Sequence, residues 1–409
     1  MSIPRLQAID STRAFFREGY DFIGNRCATL GNEAFETRIL LRRVVCMMGE
    51  DAARHFYDGQ HFTRSGAMPP TTLRLLQDKG SVQSLDGAAH RARKALFLQL
   101  LTGAEVERIG KLFDSRFAAA WERWRHRRAI VLHDAMAELL CDVICAWAGV
   151  PLAGETLARR TREMTAMIDG AGTVGPRAWR GLLLRQRSER WARQVISGAR
   201  QRHHGAHPSP VERLAAFQPD TGPPLDEASA GVELLNLIRP TVAVARFITF
   251  AALALHEHGD AAAWLRADVE ARLPAFVQEV RRFYPFFPVI GGRVRQAFDW
   301  HDHRFAVGDW VLLGLHATNH DPRLWEEPAR FCPERFITRE PSGFDLVPQG
   351  AGDHARDHRC PGEWFTTELI GRAIRQLLAC RYDIPEQRLT VPLNRFPTLP
   401  ENRLVLQPA

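Results

Sequence analysis

One cysteine carries the most specific chemistry in this chain. The stretch Pro348–Arg381 reads PQGAGDHARDHRCPGEWFTTELIGRAIRQLLACR, with Cys360 closing a glycine-rich loop. Pro361–Gly362 then turns into a pattern in which Phe365, Leu369, Ile370, Ala373, Leu377 and Leu378 recur at helical spacing, so one face is buried. Cys360 therefore sits at or just before a helix N-terminus, where unpaired N–H groups and the helix dipole favour the thiolate over the thiol. Gly350, Gly352 and Gly362 would let the backbone approach a flat group and donate to the sulfur. Three readings fit the loop by itself. A thiolate can be the axial ligand of haem iron; His354, His358 and Cys360 can belong to a zinc site, although a fourth ligand at familiar spacing is missing; and a lone cysteine can be a small buried hydrophobe.

Three further constellations stand out. Arg239–Pro240 interrupts the apolar run LLNLIRPTVAVARFITFAALAL, where a proline costs about 3 kcal/mol and a charge needs a partner or a wet cavity. The alternative is an amphipathic stripe, since Asn236, Arg239, Ala243 and Arg246 share one helical face. Glu279 and Arg282 form an E-x-x-R pair on another helix, a spacing that most often makes surface ion pairs of small energetic worth. Upstream, His90, Arg91, Arg93 and Lys94 crowd the start of a helix, against its dipole. Such a cluster is a plain surface feature or is neutralised by a bound anion, and the carboxylates of a cofactor would serve.

The elements that must position these residues are mostly helices. Helical periods run over Glu50–Tyr57, His90–Leu101, Glu105–Trp124, Leu132–Ala148, Glu155–Asp169 and Arg177–Arg202. A connector, His207–Pro224, reads as a loop, and Leu225–His258 as one long helix. Pro274–Tyr284 is helical. Residues 34–48 read as a strand hairpin, Arg293–Trp300 and Arg304–Leu313 as another around HDH, and Tyr382–Leu406 as a strand-rich tail. The fold class is mainly α with a minor β part at both ends. With 409 residues and 45% hydrophobic content the chain can bury a large core. Seven cysteines without framework spacing point to a reducing compartment. No secretory pattern opens the chain, and charges interrupt Leu234–Leu255, so a cytoplasmic protein without a membrane span is expected. The net charge of +7 comes mainly from arginines scattered over helix faces, and no nucleic-acid motif accompanies it.

Glu279-x-x-Arg282, then Pro333-Glu334-Arg335-Phe336, then the glycine-rich loop with Cys360-Pro361-Gly362 resemble the cytochrome P-450 superfamily in content, order and spacing. The resemblance covers essentially the whole chain. It implies one catalytic domain over 1–409, with haem b between the long central helix and the loop. Cys360 would be the iron ligand, and Glu279, Arg282 and Arg335 a structural network. Two departures from the superfamily pattern are visible. The loop has extra residues between Gly350–Gly352 and His358-Arg359-Cys360, with Pro348–Gln349 where phenylalanine is usual. The long helix carries Arg239–Pro240 in the region of the acid–alcohol pair that relays protons to dioxygen.

Both departures are similar to the fatty-acid peroxygenase branch, as are QEVRRFYPF, Gly66-Ala67-Met68-Pro69, Gln83, Asp86–Gly87 and His90. That branch implies hydroxylation of a long-chain fatty acid with hydrogen peroxide as co-substrate and no obligatory redox partner. Arg239, followed by Pro240, would hold the substrate carboxylate, which acts as general acid–base. Arg64, His90 and Lys94 would lie near the haem propionates, and His358 and Gly352 in the loop that binds the haem. Leu76, Gln83, Phe286 and Val289 would wall the substrate. Gln83 cannot titrate near neutral pH, which favours hydroxylation over decarboxylation. The flanking residues resemble α-hydroxylating members. The competing readings are a fatty-acid decarboxylase, a dioxygen- and ferredoxin-dependent monooxygenase, and a haem-thiolate sensor.

Overall fold

The structure is a computed structural model and describes residues 3–57, 61–78, 80–202, 207–219 and 223–409. Lys79, in the expected substrate wall, and residues 220–222 of the connector lie outside the described residues. The apolar stripes become the helices Gly87–Leu100, Gly103–Trp124, Leu132–Ala148, Gly154–Gly170 and Pro176–Gln201. They pack around the most apolar segment of the chain, whose window of highest hydropathy is long and apolar enough to cross a membrane but is 94% buried inside the protein. That segment is core.

The expected single long helix is two, Glu227–Ala243 and Ala245–Glu257, meeting at Val244. Pro240 has no N–H to give the carbonyl of Asn236, so the ladder loosens there. Four residues on, the Val244 N–H turns to Thr241 O at 3.1 Å, a tighter turn than the α-helical one. Asp226 caps the start, accepting from the Ser229 N–H at 2.6 Å. Between Ala230 and Leu255 every residue is buried or half-buried except Pro240, which is exposed.

The β part is a five-stranded sheet in the order Ala34–Ile39, Arg42–Met47, Trp310–Gly314, Val289–Val294, Phe62–Thr63. Only the pair Arg42–Met47 with Trp310–Gly314 is parallel. Gly291 and Gly292 let other parts of the chain lie flat on this sheet. A Cβ on Gly291 would stand 2.3 Å from the Ala67 carbonyl, and one on Gly292 2.9 Å from the Phe56 ring. This close approach brings Arg64 Nη1 to donate to Gly291 O at 3.1 Å.

Several boundaries differ from the sequence reading. The connector contains a short helix, Pro210–Ala215, started by a Ser209/Glu212 capping box. A helix over Gly259–Ala267 was not expected, and the next begins at Val269, not Pro274, because Asp268 caps it. The segment 293–313 divides into two nested pairs, Phe298–Trp300 with His303–Phe305, and Val289–Val294 with Trp310–Gly314. The tail holds only two short strands, Tyr382–Asp383 and Val405–Pro408.

Candidate active site

The loop before the helix Glu363–Ala379 is pinned from both sides of the sulfur. The Cys360 N–H donates to Gln349 O at 3.1 Å, and Gln349 Nε2 lies 3.8 Å from Cys360 Sγ and 3.0 Å from Thr366 Oγ1. Gly350 has φ 94°, and a side chain there would meet the Tyr57 hydroxyl. Gly352, φ 90°, leaves room for the Asp357 carboxylate, so its visible role is packing within the loop. Burial pushes the Cys360 thiol up to about 11, against the pull of the Gly362 N–H. The helix N-terminus therefore does not by itself give a thiolate, as the sequence alone implied; a cation on the sulfur would. The zinc reading fails on geometry, since among the described residues no trio of ligand atoms includes Cys360. Beneath the loop, Glu363 receives Arg281 at 2.5 Å and Arg359 at 2.6 Å. Burial alone would raise its carboxyl, but these two arginines outweigh it and hold it at about 2.

Beside the loop four basic side chains converge. His90 stacks on His358 with ring centroids 3.9 Å apart. Lys94 Nζ donates to the carbonyls of Asp357 and Arg359. The Arg64 guanidinium lies over the rings of Phe56 and Tyr57, at 4.2 and 4.9 Å. Burial lowers every one: His90 to about 4, Lys94 to about 8, Arg64 and His358 in the same direction. Against these four basic groups stands Asp86, whose Oδ1 lies 3.9 Å from His358 Nε2.

Arg239 is 3% exposed. Its Nη2 donates to Leu76 O and, at 3.0 Å, to Asn236 Oδ1. Its Nη1 is buried and has no acceptor among the described residues. Burial, and then the nearby Arg185, press its pKa down to about 9, so it stays cationic at neutral pH. Asn236 is oriented in turn. Its Nδ2 donates to Glu233 at 2.9 Å and to Gln83 Oε1 at 3.3 Å. Glu233 is fully buried, paired with Arg93 at 2.6 Å, and accepts the Val82 N–H at 2.9 Å. The stripe alternative is thus overturned: these groups are buried and bonded to one another, and Arg246 pairs with Asp169. Phe286 stacks on Phe247 at 4.3 Å, and both it and Val289 are half-buried.

Glu279 and Arg282 are no surface pair. Both are fully buried and bidentate at 2.7 Å, with Arg335 3.4 Å from Glu279 and the Cys332 N–H donating to Glu279 at 2.8 Å. Arg282 also ties down the carbonyls of Asn319, Pro328 and Arg330. This network clamps the irregular segment that leads to the loop.

A cytochrome P450 family model matches residues 272–396. Among solved structures, cytochrome P450SP alpha in complex with (R)-ibuprophen is 39% identical over 98% of each chain, with TM-score 0.94. Cytochrome P450EX alpha with myristic acid is 37% identical over 100% of this chain and 98% of that one, with TM-score 0.95. The chain belongs to the cytochrome P450 family. A P450 OleT variant in complex with arachidonic acid is 30% identical, again over 100% of this chain and 98% of that one, with TM-score 0.95. Curated relatives match over shorter stretches. Cytochrome P450 4e5, mitochondrial, of Drosophila mettleri is 33% identical over 106 residues, 26% of this chain and 20% of that protein. Flavonoid-6-hydroxylase of Mentha piperita is 32% identical over 114 residues, 26% and 21%. The matched segment thus spans about a fifth of these two curated relatives.

P450s hold haem through a cysteine thiolate, and this site fits that group. Cys360 has two donors directed at its sulfur, a cluster of four basic side chains beside it could take the charge of propionates, and Pro240 is exposed in a helix whose neighbouring residues are buried. The sequence reading missed Glu233 and the buried Arg185, which pairs with Asp78 at 3.1 Å and Glu189 at 2.7 Å, and it named Arg93 and Gln349 without their contacts to Glu233 and Cys360. A signal for the first was present: Glu233, Asn236 and Arg239 recur every third residue along one helix.

Proposed function

We propose that this P450 hydroxylates long-chain fatty acids next to their carboxylate, using hydrogen peroxide. The observation that carries the reading is the unpartnered Nη1 of a buried arginine, Arg239, in the helix where dioxygen-using relatives relay protons. Thr241, the nearest hydroxyl on that helix, donates its proton to Leu237 O at 2.9 Å. Relatives of 30–37% identity are bound to myristic and arachidonic acids, molecules with one carboxylate and a long apolar chain.

Cys360 would hold the haem iron, with Arg64, His90, Lys94 and His358 toward its propionates; bound there, haem supplies O–O cleavage and transfer of oxygen to carbon. The chain's own part is to supply the charge pattern. Arg239 binds the fatty-acid carboxylate through a charge-assisted hydrogen bond. Asn236, fixed by Glu233, keeps Nη2 occupied, so Nη1 is the side presented to substrate. The bound carboxylate then carries a proton from one peroxide oxygen to the other, the transfer heterolysis requires. Overall, one C–H bond becomes C–OH, the O–O bond breaks and water leaves, so no external electrons are needed.

Gln83, hydrogen-bonded to Asn236, is neutral, which favours hydroxylation over loss of carbon dioxide. The walls Leu76, Phe286 and Val289 then set which carbon lies nearest the oxidant, and we assign the 2-position. The test is turnover of myristic acid with peroxide, with products separated by chromatography. Acid but not methyl ester should react, giving chiefly the 2-hydroxy acid. Equal rates on the ester would end the reading, dominant 1-alkene would end hydroxylation, and dominant 3-hydroxy acid would end the positional assignment.

A further inference from the structure

The helices Gly154–Gly170 and Pro176–Gln201 lie along one another, and a surface groove between them gathers arginines that the active site does not use. Arg187, Arg190, Trp191 and Gln194 recur at i, i+3, i+4 and i+7, so they form one stripe of the second helix. Arg159, Arg160 and Glu163 face them from the first helix, and these seven residues line a hollow of about 370 Å³. Four guanidiniums stand there against a single carboxylate.

Glu163 does not neutralise the groove. It is buried, and its Oε2 already accepts Arg160 Nη1 at 2.5 Å and Ser188 Oγ at 3.0 Å. Arg159, Arg187 and Arg190 are exposed, and none forms an ion pair among the described residues. Arginines on a solvated helix face need no partner, and these three taken alone would be no more than that. Arg160 is different. It is 8% exposed, its guanidinium lies 5.0 Å from the centroid of the Trp191 ring, and its Nε is buried with no acceptor among the described residues. Burial lowers its pKa against the pull of Glu163, and Arg159 lowers it further. A buried donor without an acceptor, in a groove rimmed by three unpaired charges, calls for an anion from outside the chain.

The groove selects by charge and by extent. A guanidinium fork takes phosphate oxygens two at a time. One orthophosphate can therefore engage only part of the set, whereas linked phosphates carry charge from the arginines of one helix to those of the other. We propose that this groove binds a small soluble anion bearing two or three linked phosphates, either inorganic polyphosphate or the phosphate chain of a nucleotide. Such a ligand would tie the two helices together from outside, while Arg185, on the buried stripe of Pro176–Gln201, holds Asp78 from within.

The test is isothermal titration of the haem-loaded protein, in buffer free of divalent metal, with tripolyphosphate, pyrophosphate, ADP and orthophosphate. The three linked phosphates should each bind one per chain, about tenfold or more tighter than orthophosphate, and weaken as salt is raised. ADP tighter than pyrophosphate names a nucleotide as the source, and equal affinity names free polyphosphate; either result supports the site. Arg187→Gln with Arg190→Gln should weaken tripolyphosphate about tenfold or more. Arg127→Gln with Arg128→Gln removes the same charge from an exposed bend after the helix Gly103–Trp124 and should change nothing. The proposal is overturned if tripolyphosphate binds no tighter than orthophosphate, or if both double variants weaken it equally. It is also overturned if the Soret band shifts on titration while the Arg187/Arg190 variant binds as wild type does, which would put the anion at the haem.

Discussion

Replacing Arg239 by Met removes the guanidinium and keeps much of its apolar stem. The substrate carboxylate would then enter a site where the former donor is gone and where Arg185 is committed to Asp78 and Glu189. Removing one partner of a buried ion pair costs about 3–5 kcal/mol, because the other charge is left uncompensated. At 1.4 kcal/mol per factor of ten, kcat/KM for myristic acid should fall about a hundred- to several-thousand-fold. Lysine restores part of this, since it brings the charge without the planar fork. The assay is peroxide-driven turnover, with the carbon monoxide difference spectrum confirming intact haem ligation. Ligand-induced stabilisation gives a second reading. Myristate at a hundred times its Kd should add about 2.7 kcal/mol to the wild type and much less to the variant at the same concentration. A variant within tenfold of wild-type kcat/KM would refute the reasoning.

Other substitutions separate the remaining roles. Cys360→Ser should remove the red-shifted Soret band of the reduced carbon monoxide complex, and a variant keeping it would make another cysteine the ligand. Glu233→Gln should cost about 3 kcal/mol in urea unfolding through the broken pair with Arg93, and about tenfold in kcat/KM because Asn236 is no longer oriented; an unchanged KM and kcat would make Glu233 purely structural. Glu363 has a folded-state pKa lowered from 4.5 to about 2, so its stabilisation is complete above about pH 4.5 and is lost as pH falls through 2. Glu363→Gln should therefore show a deficit of about 3 kcal/mol at pH 6 that shrinks below pH 4.5, measured by denaturant titration; a deficit independent of pH would assign it to packing instead.

Much of the site was legible in the sequence because its residues violate local rules. Proline inside an apolar helix, a buried arginine beside it, and a cysteine after a glycine-rich loop are each costly without a purpose. The helices Gly103–Trp124, Leu132–Ala148, Gly154–Gly170 and Pro176–Gln201 were legible within a residue or two from their apolar stripes, whereas the one expected over Leu225–His258 is two. What could not be read depended on contacts distant in the chain. Arg185 looks like one of many arginines on a charged helix, and only the packing of that helix on the 75–78 segment shows it to be fully buried. Gln349 was visible only as a missing phenylalanine; its approach to Cys360 requires the loop to close. The short helix Pro210–Ala215 was hidden in a stretch that otherwise reads as turn residues. The thiol's raised pKa opposes a sound local argument, because burial is a tertiary quantity that a helix start does not reveal.

The arrangement around Arg239 explains how a buried cation can stay available to a ligand. An unpaired guanidinium in a dry pocket attracts any carboxylate the chain can bring near it, and two stand in its field, Asp78 and Glu233. Either one, turned onto Nη1, would neutralise the site with the protein's own charge. Each is instead held by a different arginine: Arg185 on Asp78 at 3.1 Å, Arg93 on Glu233 at 2.6 Å. The Leu76 carbonyl and Asn236 Oδ1, both neutral, fix the guanidinium's orientation without cancelling its charge. Burial then works in favour of binding, because a cation pressed down to about 9 gains more from an incoming anion than one that water already solvates. An ester brings no charge to that site and a hydrocarbon brings no acceptor. The same arrangement that leaves Arg239 costly to the fold thus favours an anionic ligand, which the proposed fatty-acid carboxylate would be.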